Sequence, residues 1–412
     1  MRLVARTART VAAVTTKNNR RRLWIPTTAL ASGCFLLSPS SSVAVAFQQE
    51  GISVCRSPYT TVPASSALDS TKNNMADNTE EKNEKLQFVD IGANLLDDRF
   101  TKGIYHDKFR HEPDLDDVLA RAAAGGVRYI VLTAGTLEES ARAVQYVRQL
   151  RQKQQQQQQQ QPDASNGEGI HFSCTVGVHP TRCQQEFVDH ADGKSDDEIL
   201  HRLLEIAQDG MADGCVAAIG EIGLDYDRLQ FAPKDIQVKY FQRQLEVLVK
   251  TTKLPMFLHN RNVGTDLYDI LKDHSDCWQG QGGVVHSFDD SLALAHKFMD
   301  ELGLYIGLNG CSLKTQDNLQ VVQALPLDKL LLETDCPYCE IKRTHAGFSH
   351  ITTTFDTKAE KKFVSGIMVK GRCEPCQIVQ VAQVIAGVKG ISVRQVADQC
   401  YQTSLALYGW KE

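Results

Sequence analysis

The chain has 412 residues, a formal net charge of −5, and apolar and charged fractions of 42% and 23%, enough for one barrel of ordinary size with an extension at one end. That charge gives no global pull toward nucleic acid, so a polyanion would have to be drawn by a local basic patch or by bound cations. The twelve cysteines are scattered, and Cys174 and Cys215 stand inside apolar runs, which suits reduced thiols in a reducing compartment better than a disulfide framework.

From Met1 to Phe47 every charge is basic (Arg2, Arg6, Arg9, Lys17, Arg20, Arg21, Arg22), and the first acid is Glu50. Residues 1–47 therefore read as a targeting segment. The Arg- and Ser-rich, acid-free composition suits an organellar transit peptide, for a mitochondrion or plastid. The order basic, then apolar, then Ala44-Val45-Ala46-Phe47 suits a cleaved secretory signal or the first part of a bipartite plastid address. A tail with no address, leaving the chain in the cytosol or nucleus, is the plain alternative. The most apolar stretch, Leu23 to Leu37, is broken by Pro26, Thr27, Thr28, Ser32 and Gly33, so no membrane span is expected. Residues 48–86 are polar and Ser/Thr/Asn-rich, as in a disordered linker.

From Gln87 onward, apolar runs of strand length recur: Phe88 to Gly92, Tyr129 to Ala134, Phe172 to Val178, Val216 to Gly220, Pro255 to Leu258, Gly283 to Val285, Leu304 to Leu308, and Leu330 to Leu332. Between them, segments such as Leu115 to Ala124, Ile236 to Lys250 and Leu292 to Leu302 place apolar residues three and four apart, as helices packed on a sheet require. Continuous apolar strands alternating with amphipathic helices predict a parallel sheet, and eight repeats predict its closure into a TIM-type (β/α)₈ barrel over residues 87–412. The glutamine tract Gln154 to Gln161, followed by Pro162, Asp163 and a Ser/Asn/Gly-rich stretch, reads as a solvated loop insertion at about residues 152–169. Ile378 to Tyr408 reads as two further helices that brace the barrel.

In such a barrel the residue just past each strand faces a shared mouth. Those positions and their neighbours supply Asp90 and Asn94, Thr133, His179, Glu221, His259, His286, Asn309 and Asp335. A single His is more often structural than a ligand, but several His and acids at successive strand ends point to a metal-dependent hydrolase. Imidazole and carboxylate donors suit one or two divalent ions, Zn²⁺, Mn²⁺ or Mg²⁺, with Glu221, His259, His286 and Asp335 as ligands. Glu221 is placed to bridge, and Asp335 to orient or deprotonate the attacking water. Two ions about 4 Å apart would let a negatively charged protein attack a phosphodiester.

Asp90-Ile91-Gly92-Ala93-Asn94-Leu95, Gly177-Val178-His179-Pro180, Gly220-Glu221-Ile222-Gly223-Leu224-Asp225, Phe257-Leu258-His259-Asn260-Arg261, Val285-His286-Ser287-Phe288 and Glu333-Thr334-Asp335-Cys336-Pro337-Tyr338 together resemble the TatD family of deoxyribonucleases, in order and spacing, from about Phe88 to Trp410. Asn309-Gly310-Cys311-Ser312-Leu313-Lys314-Thr315 and Thr344-His345-Ala346-Gly347 bring it nearest to the eukaryotic branch. The resemblance implies a TIM-type barrel, divalent-metal catalysis and hydrolysis of DNA phosphodiesters, with DNA as substrate, RNA as the alternative, and a 3′-5′ exonuclease as the expected form. It puts metal ligands on Glu221, His259, His286 and Asp335.

The chain departs from that pattern after the first strand, where Gly92 and Asn94 replace a His-x-His found in many metal-dependent barrels. The expectation is that Asp90 or Asn94 assists, and that the second ion arrives mainly with substrate. Asn260 and Cys373 also replace a usual Cys and Asn. Arg261, Lys342, Arg343 and His345 are candidates for gripping the nucleic-acid backbone, with a solvated charge as the alternative for Lys342 and Arg343. His179 is a candidate for binding phosphate or protonating a leaving group, and Asp225 and Arg228 for ordering the strand-four loop.

Two rivals stand beside the nuclease. One is a barrel hydrolase acting on amide, ester or phosphotriester bonds, disfavoured because Glu221 stands where such enzymes carry a carboxylated Lys. The other is a catalytically inactive nucleic-acid-binding barrel. Cys336-x-x-Cys339 with Cys373-x-x-Cys376 suggests a structural zinc site, but the two pairs are unusually far apart and Cys336 follows a ligand candidate. A Gly-rich phosphate loop, a Ser nucleophile elbow and a dinucleotide fingerprint are absent, and no protein partner is inferred.

Overall fold

A computed structural model describes residues 85–160, 169–189, 193 and 195–411. The expected targeting segment 1–47 and all but the end of the linker 48–86 lie outside the described residues, as do residues 161–168 of the glutamine-rich insertion.

Eight parallel strands form one sheet in chain order: β1 (Phe88–Ala93), β2 (Val127–Leu132), β3 (His171–Val176), β4 (Val216–Asp225), β5 (Met256–Arg261), β6 (Gly283–His286), β7 (Tyr305–Leu308) and β8 (Leu330–Leu332). The ring closes just past β8. Asp335 N donates to Gly92 O and Asn94 N donates to Cys336 O, each at 2.8 Å, and Ala93 bridges Cys336 in parallel. The fold is thus a TIM-type barrel, and the residues that close it come from two of the candidate motifs.

The strands are buried on both faces, which is why they read as unbroken apolar runs. Val89, Ile91, Ala218, Phe257, Val284 and Leu331, with Tyr401 and Leu405 of the last helix, make an inner cluster. The larger apolar cluster joins the other strand faces to the helices.

One strand outruns its expected end. β4 continues past Gly220 to Asp225, pairing Ile222, Gly223, Leu224 and Asp225 with Leu258, His259, Asn260 and Arg261 after a register irregularity. Gly223 makes that possible: its φ is +140°, and a Cβ there would lie 2.2 Å from His259 O.

The glutamine tract corrects the loop expectation. The helix Leu137–Gln160 continues into it as far as Gln160, and Gln154 Nε2 donates to Ile170 O at 2.9 Å, tying the extension to the start of β3. Glutamine is a good helix former, and lengthening an existing helix carries no nucleation cost.

Two helices, Ile378–Lys389 and Val393–Tyr408, end the fold as expected, the first stopped by Gly390 in the left-handed region and the second opened by a Ser392 capping box. No single described helix is long and apolar enough to cross a membrane. A buried ion network ties the segment before them to the start of the barrel. Arg372, 1% exposed, donates to both oxygens of Asp114 at 2.7 and 2.6 Å and to Glu374 at 2.9 Å. Its guanidinium also sits 4.7 Å from the Phe100 ring centroid.

Candidate metal centre

The carboxyl ends of the strands surround a cleft of ≈ 550 Å³ lined in part by Asn94, His179, Glu221, Arg261, His286 and Asp335. Glu221, part-way along β4, is its hub. Its Oε1 lies 2.6 Å from His259 Nδ1, 2.8 Å from His286 Nε2 and 3.3 Å from His179 Nε2. Burial opposes a charge on Glu221, but the His286 and His179 imidazoles and hydrogen bonds from His179 and His259 outweigh it, holding the carboxyl well below its ordinary range. Burial likewise acts to lower the His286 pKa, but Glu221 and Glu333 carry it well above the usual imidazole value. In His179 burial dominates and the pKa falls.

Glu221, His259 and His286 form one group whose ligand atoms all lie within 4.8 Å of one another, and His179, Asp225 and His259 form a second. Two buried imidazole nitrogens, neutral when they ligate, and a carboxylate oxygen held ionised are a donor set that fits a borderline divalent ion.

Asp335 lines the same cleft but stands outside both groups. Its Oδ1 accepts from Asn94 Nδ2 at 2.9 Å, and Cys339 Sγ lies 3.2 Å from its Oδ2. Burial pushes its carboxyl up to about 6. Asn94, expected as an accessory ligand, turns its amide donor to Asp335 and its oxygen to Thr133 Oγ1 at 2.7 Å, so it holds Asp335 in place.

Asp90, the other accessory candidate, faces elsewhere. It is fully buried, accepting from Thr334 N at 2.9 Å, Thr334 Oγ1 at 2.5 Å and Gly92 N at 3.3 Å. Burial raises its pKa to about 7. Its oxygens anchor the Glu333-Thr334-Asp335 segment.

Arg261 lines the cleft with its Nε buried and unpartnered. Lys342 and Arg343 are exposed, and neither they nor His345 line the cleft. His345 Nδ1 is buried without a partner.

Two site residues were not foreseen. Glu333 is fully buried, with Oε2 3.3 Å from His286 Nδ1 and Oε1 accepting from Ser287 N and from Asn309 Nδ2. Asn309 therefore supports the site from behind. An acid directly after Leu330–Leu332 was the available signal. Asp225, expected only to order a loop, is fully buried, with Oδ2 3.3 Å from His259 Nε2. Alternation along a strand puts Glu221, Gly223 and Asp225 on one face, a relation that the apolar run Val216 to Gly220 does not reach.

The four cysteines of the two Cys-x-x-Cys pairs do not converge. Cys339 Sγ lies 2.8 Å from Cys311 Sγ at the cleft, while Cys376 Sγ faces Met368 Sδ and Cys373 Sγ faces Thr334 O.

Residues 89–409 match the family model described as TatD related DNase. The chain is 41% identical over 324 residues to the Schizosaccharomyces pombe protein named Deoxyribonuclease Tat-D, covering 78% of this chain and 96% of that one. It is 31% identical over 252 residues to the Salmonella typhimurium protein named 3'-5' ssDNA/RNA exonuclease TatD, covering 60% of this chain and 78% of that one. The crystal structure of a TatD family hydrolase from Entamoeba histolytica superposes with a TM-score of 0.67 at 34% identity, over 79% of this chain and 98% of that one. A family match that spans the barrel from its first strand to its last helix, with this identity in the yeast relative, settles the assignment: the chain belongs to the TatD-related DNase family.

Proposed function

We propose that this chain is a divalent-metal-dependent deoxyribonuclease that hydrolyses DNA phosphodiesters from a 3′ end. The observation that carries the reading is the convergence of Glu221 Oε1, His259 Nδ1 and His286 Nε2 inside one buried cluster at the barrel mouth. The names of the S. pombe and S. typhimurium relatives support DNA as substrate, and the second supports the polarity.

Glu221, His259 and His286 would hold a divalent ion, with Asp335 lining the same cleft. When bound, such an ion supplies a water of lowered pKa and a positive charge for the phosphoryl oxygen. Asp335, placed by Asn94, accepts a proton from the attacking water. His179 is set up as a donor. Thr181 N donates to its Nδ1 at 3.1 Å, and an amide can only donate, so in the neutral ring the proton is on Nε2, facing the cleft. There Nε2 lies 3.3 Å from Glu221 Oε1, and with substrate bound it would turn to a phosphoryl oxygen or the leaving group. Arg261 meets the phosphate backbone, with Lys342, Arg343 and His345 as contacts further out.

The test incubates the full chain with single-stranded DNA labelled at its 3′ or its 5′ end, with Mg²⁺, Mn²⁺ or Zn²⁺, with and without chelator. The reading expects early release of the 3′ label as mononucleotide, abolished by chelator and by Glu221→Gln. Equal cleavage with and without chelator, or by the variant, overturns the metal mechanism. Release of the 5′ label first overturns the polarity. Residues 1–47 are proposed as an organellar address, and a fusion of residues 1–50 to a fluorescent protein that stays diffuse would sink that.

A further inference from the structure

The second group, His179, Asp225 and His259, has the make-up of a metal site, yet two contacts argue against an ion there. The neutral His179 ring carries its proton on Nε2 and offers it to Glu221. Asp225 Oδ2 already accepts from Arg228 Nη1 at 2.7 Å. What remains is the contact of Asp225 with the back of His259.

The sequence spends much on placing that carboxylate. Asp225 has 0% exposure, a costly position for a charge unless its lone pairs are matched. Its backbone N–H donates to Gln237 Oε1 and its C=O accepts from Gln237 Nε2, each at 2.8 Å. Oδ1 accepts from Asp227 N at 3.0 Å. Arg228 alone does not explain the burial, since its own side chain is 46% exposed and a surface acid would serve it. The remaining lone pair of Oδ2 faces His259 Nε2 at 3.3 Å. That nitrogen is buried and has no hydrogen bond of proper geometry.

His259 can present only one nitrogen to an ion at Glu221, and that nitrogen is Nδ1. For its lone pair to be free for an ion, Nδ1 must give up the proton it shares with Glu221, and the ring proton must then stand on Nε2, where a carboxylate is the acceptor that holds it. We infer that Asp225 is a positioning residue that fixes the Nε2–H tautomer of His259 and so frees Nδ1 for the ion, an inference that rests on the proposed metal centre at Glu221. Glu333 stands in the same relation to His286 with the nitrogens reversed, behind Nδ1 while Nε2 faces Glu221. Carboxylates behind ligating imidazoles raise ligand basicity and fix ring orientation.

Asp225→Asn is the informative variant. The amide has one acceptor where the carboxylate has two. Turning its oxygen to Asp227 N puts its NH₂ against His259 Nε2, which favours the tautomer with the proton on Nδ1. Zn²⁺ affinity, measured by competition with a chromophoric chelator on the full chain, is expected to fall about 10- to 100-fold, with the metal-free Tm close to wild type. A second readout uses the wild type alone. In histidine-labelled, Zn²⁺-loaded protein, two-bond ¹⁵N–¹H correlation should place the His259 proton on Nε2. Wild-type affinity in Asp225→Asn, or a proton on Nδ1 of the loaded wild type, overturns the role of Asp225. A wild type that takes up no Zn²⁺ overturns the metal-centre reading itself, and the positioning role with it.

Discussion

Asp90 shows how a residue beside the site can carry stability instead of chemistry. Burial lifts its carboxyl from 3.8 to about 7, so the folded chain keeps a proton that the unfolded chain gives up near pH 4. Its contribution is fully present below about pH 4 and is lost as pH rises to about 7, by up to about 1.4 kcal/mol per unit. Asp90→Asn, permanently neutral, should therefore gain on wild type between pH 5 and 7 and hold a constant difference above, read from denaturant midpoints at each pH. A difference that does not change with pH would show that Asp90 is ionised throughout. Arg261 is the residue proposed to meet the nucleic-acid backbone. With Nε buried, unpartnered and at the cleft, Arg261→Gln should raise KM for DNA about tenfold with kcat nearly unchanged, and flatten the salt dependence of binding by about one ion. An unchanged salt slope would remove Arg261 from the backbone contacts. At this scale Glu221, His259 and His286 were legible because each follows an apolar run. Asp225 and Glu333 were not, because a support residue is defined by the ring it faces, and that pairing joins positions far apart in the chain.

At the scale of elements, the junction of β4 with β5 has the least room. A Cβ on Gly223 would meet His259 O at 2.2 Å and His259 N at 2.9 Å, at a φ of +140°. Gly223→Ala is expected to cost about 3 kcal/mol or more through strain and strand separation. Because the atoms displaced are His259's own backbone, metal affinity should fall with stability, seen by pairing thermal melts with Zn²⁺ titration. Normal binding alongside lowered stability would uncouple the strand pair from the site. The periodicity locates every strand of the barrel, but the apolar run Val216 to Gly220 ends before β4 does, because at Gly223 the missing Cβ admits a close neighbouring strand. The glutamine tract departs from its expected loop for a different reason. Its composition suggested a loop, but the helix before it supplied a nucleus on which glutamine continues.

At the scale of the whole barrel, a buried ion network ties the segment before the last two helices to the start of the fold. Arg372 bonds Asp114, which follows the first strand, and Glu374, which also accepts from Arg121 at 2.8 Å. Arg372→Met would leave two carboxylates without their buried cation, at an expected cost of about 3–5 kcal/mol. That should appear as a Tm drop of at least about 6 °C, and an unchanged Tm would mean that Arg121 alone holds both acids. The sequence by itself determined the barrel, because strand burial on both faces and the 3.6-residue helix period are written locally. It also determined the candidate ligands, because strand ends in a barrel share one mouth. Only the tertiary structure decided which nitrogen of each histidine faces Glu221, that Asn94 and Asp90 hold the Asp335 segment, and that Asp225 and Glu333 stand behind the rings. Those relations depend on side-chain direction and strand register across the closed sheet, where a single irregularity after Ile219 resets every later pairing of β4.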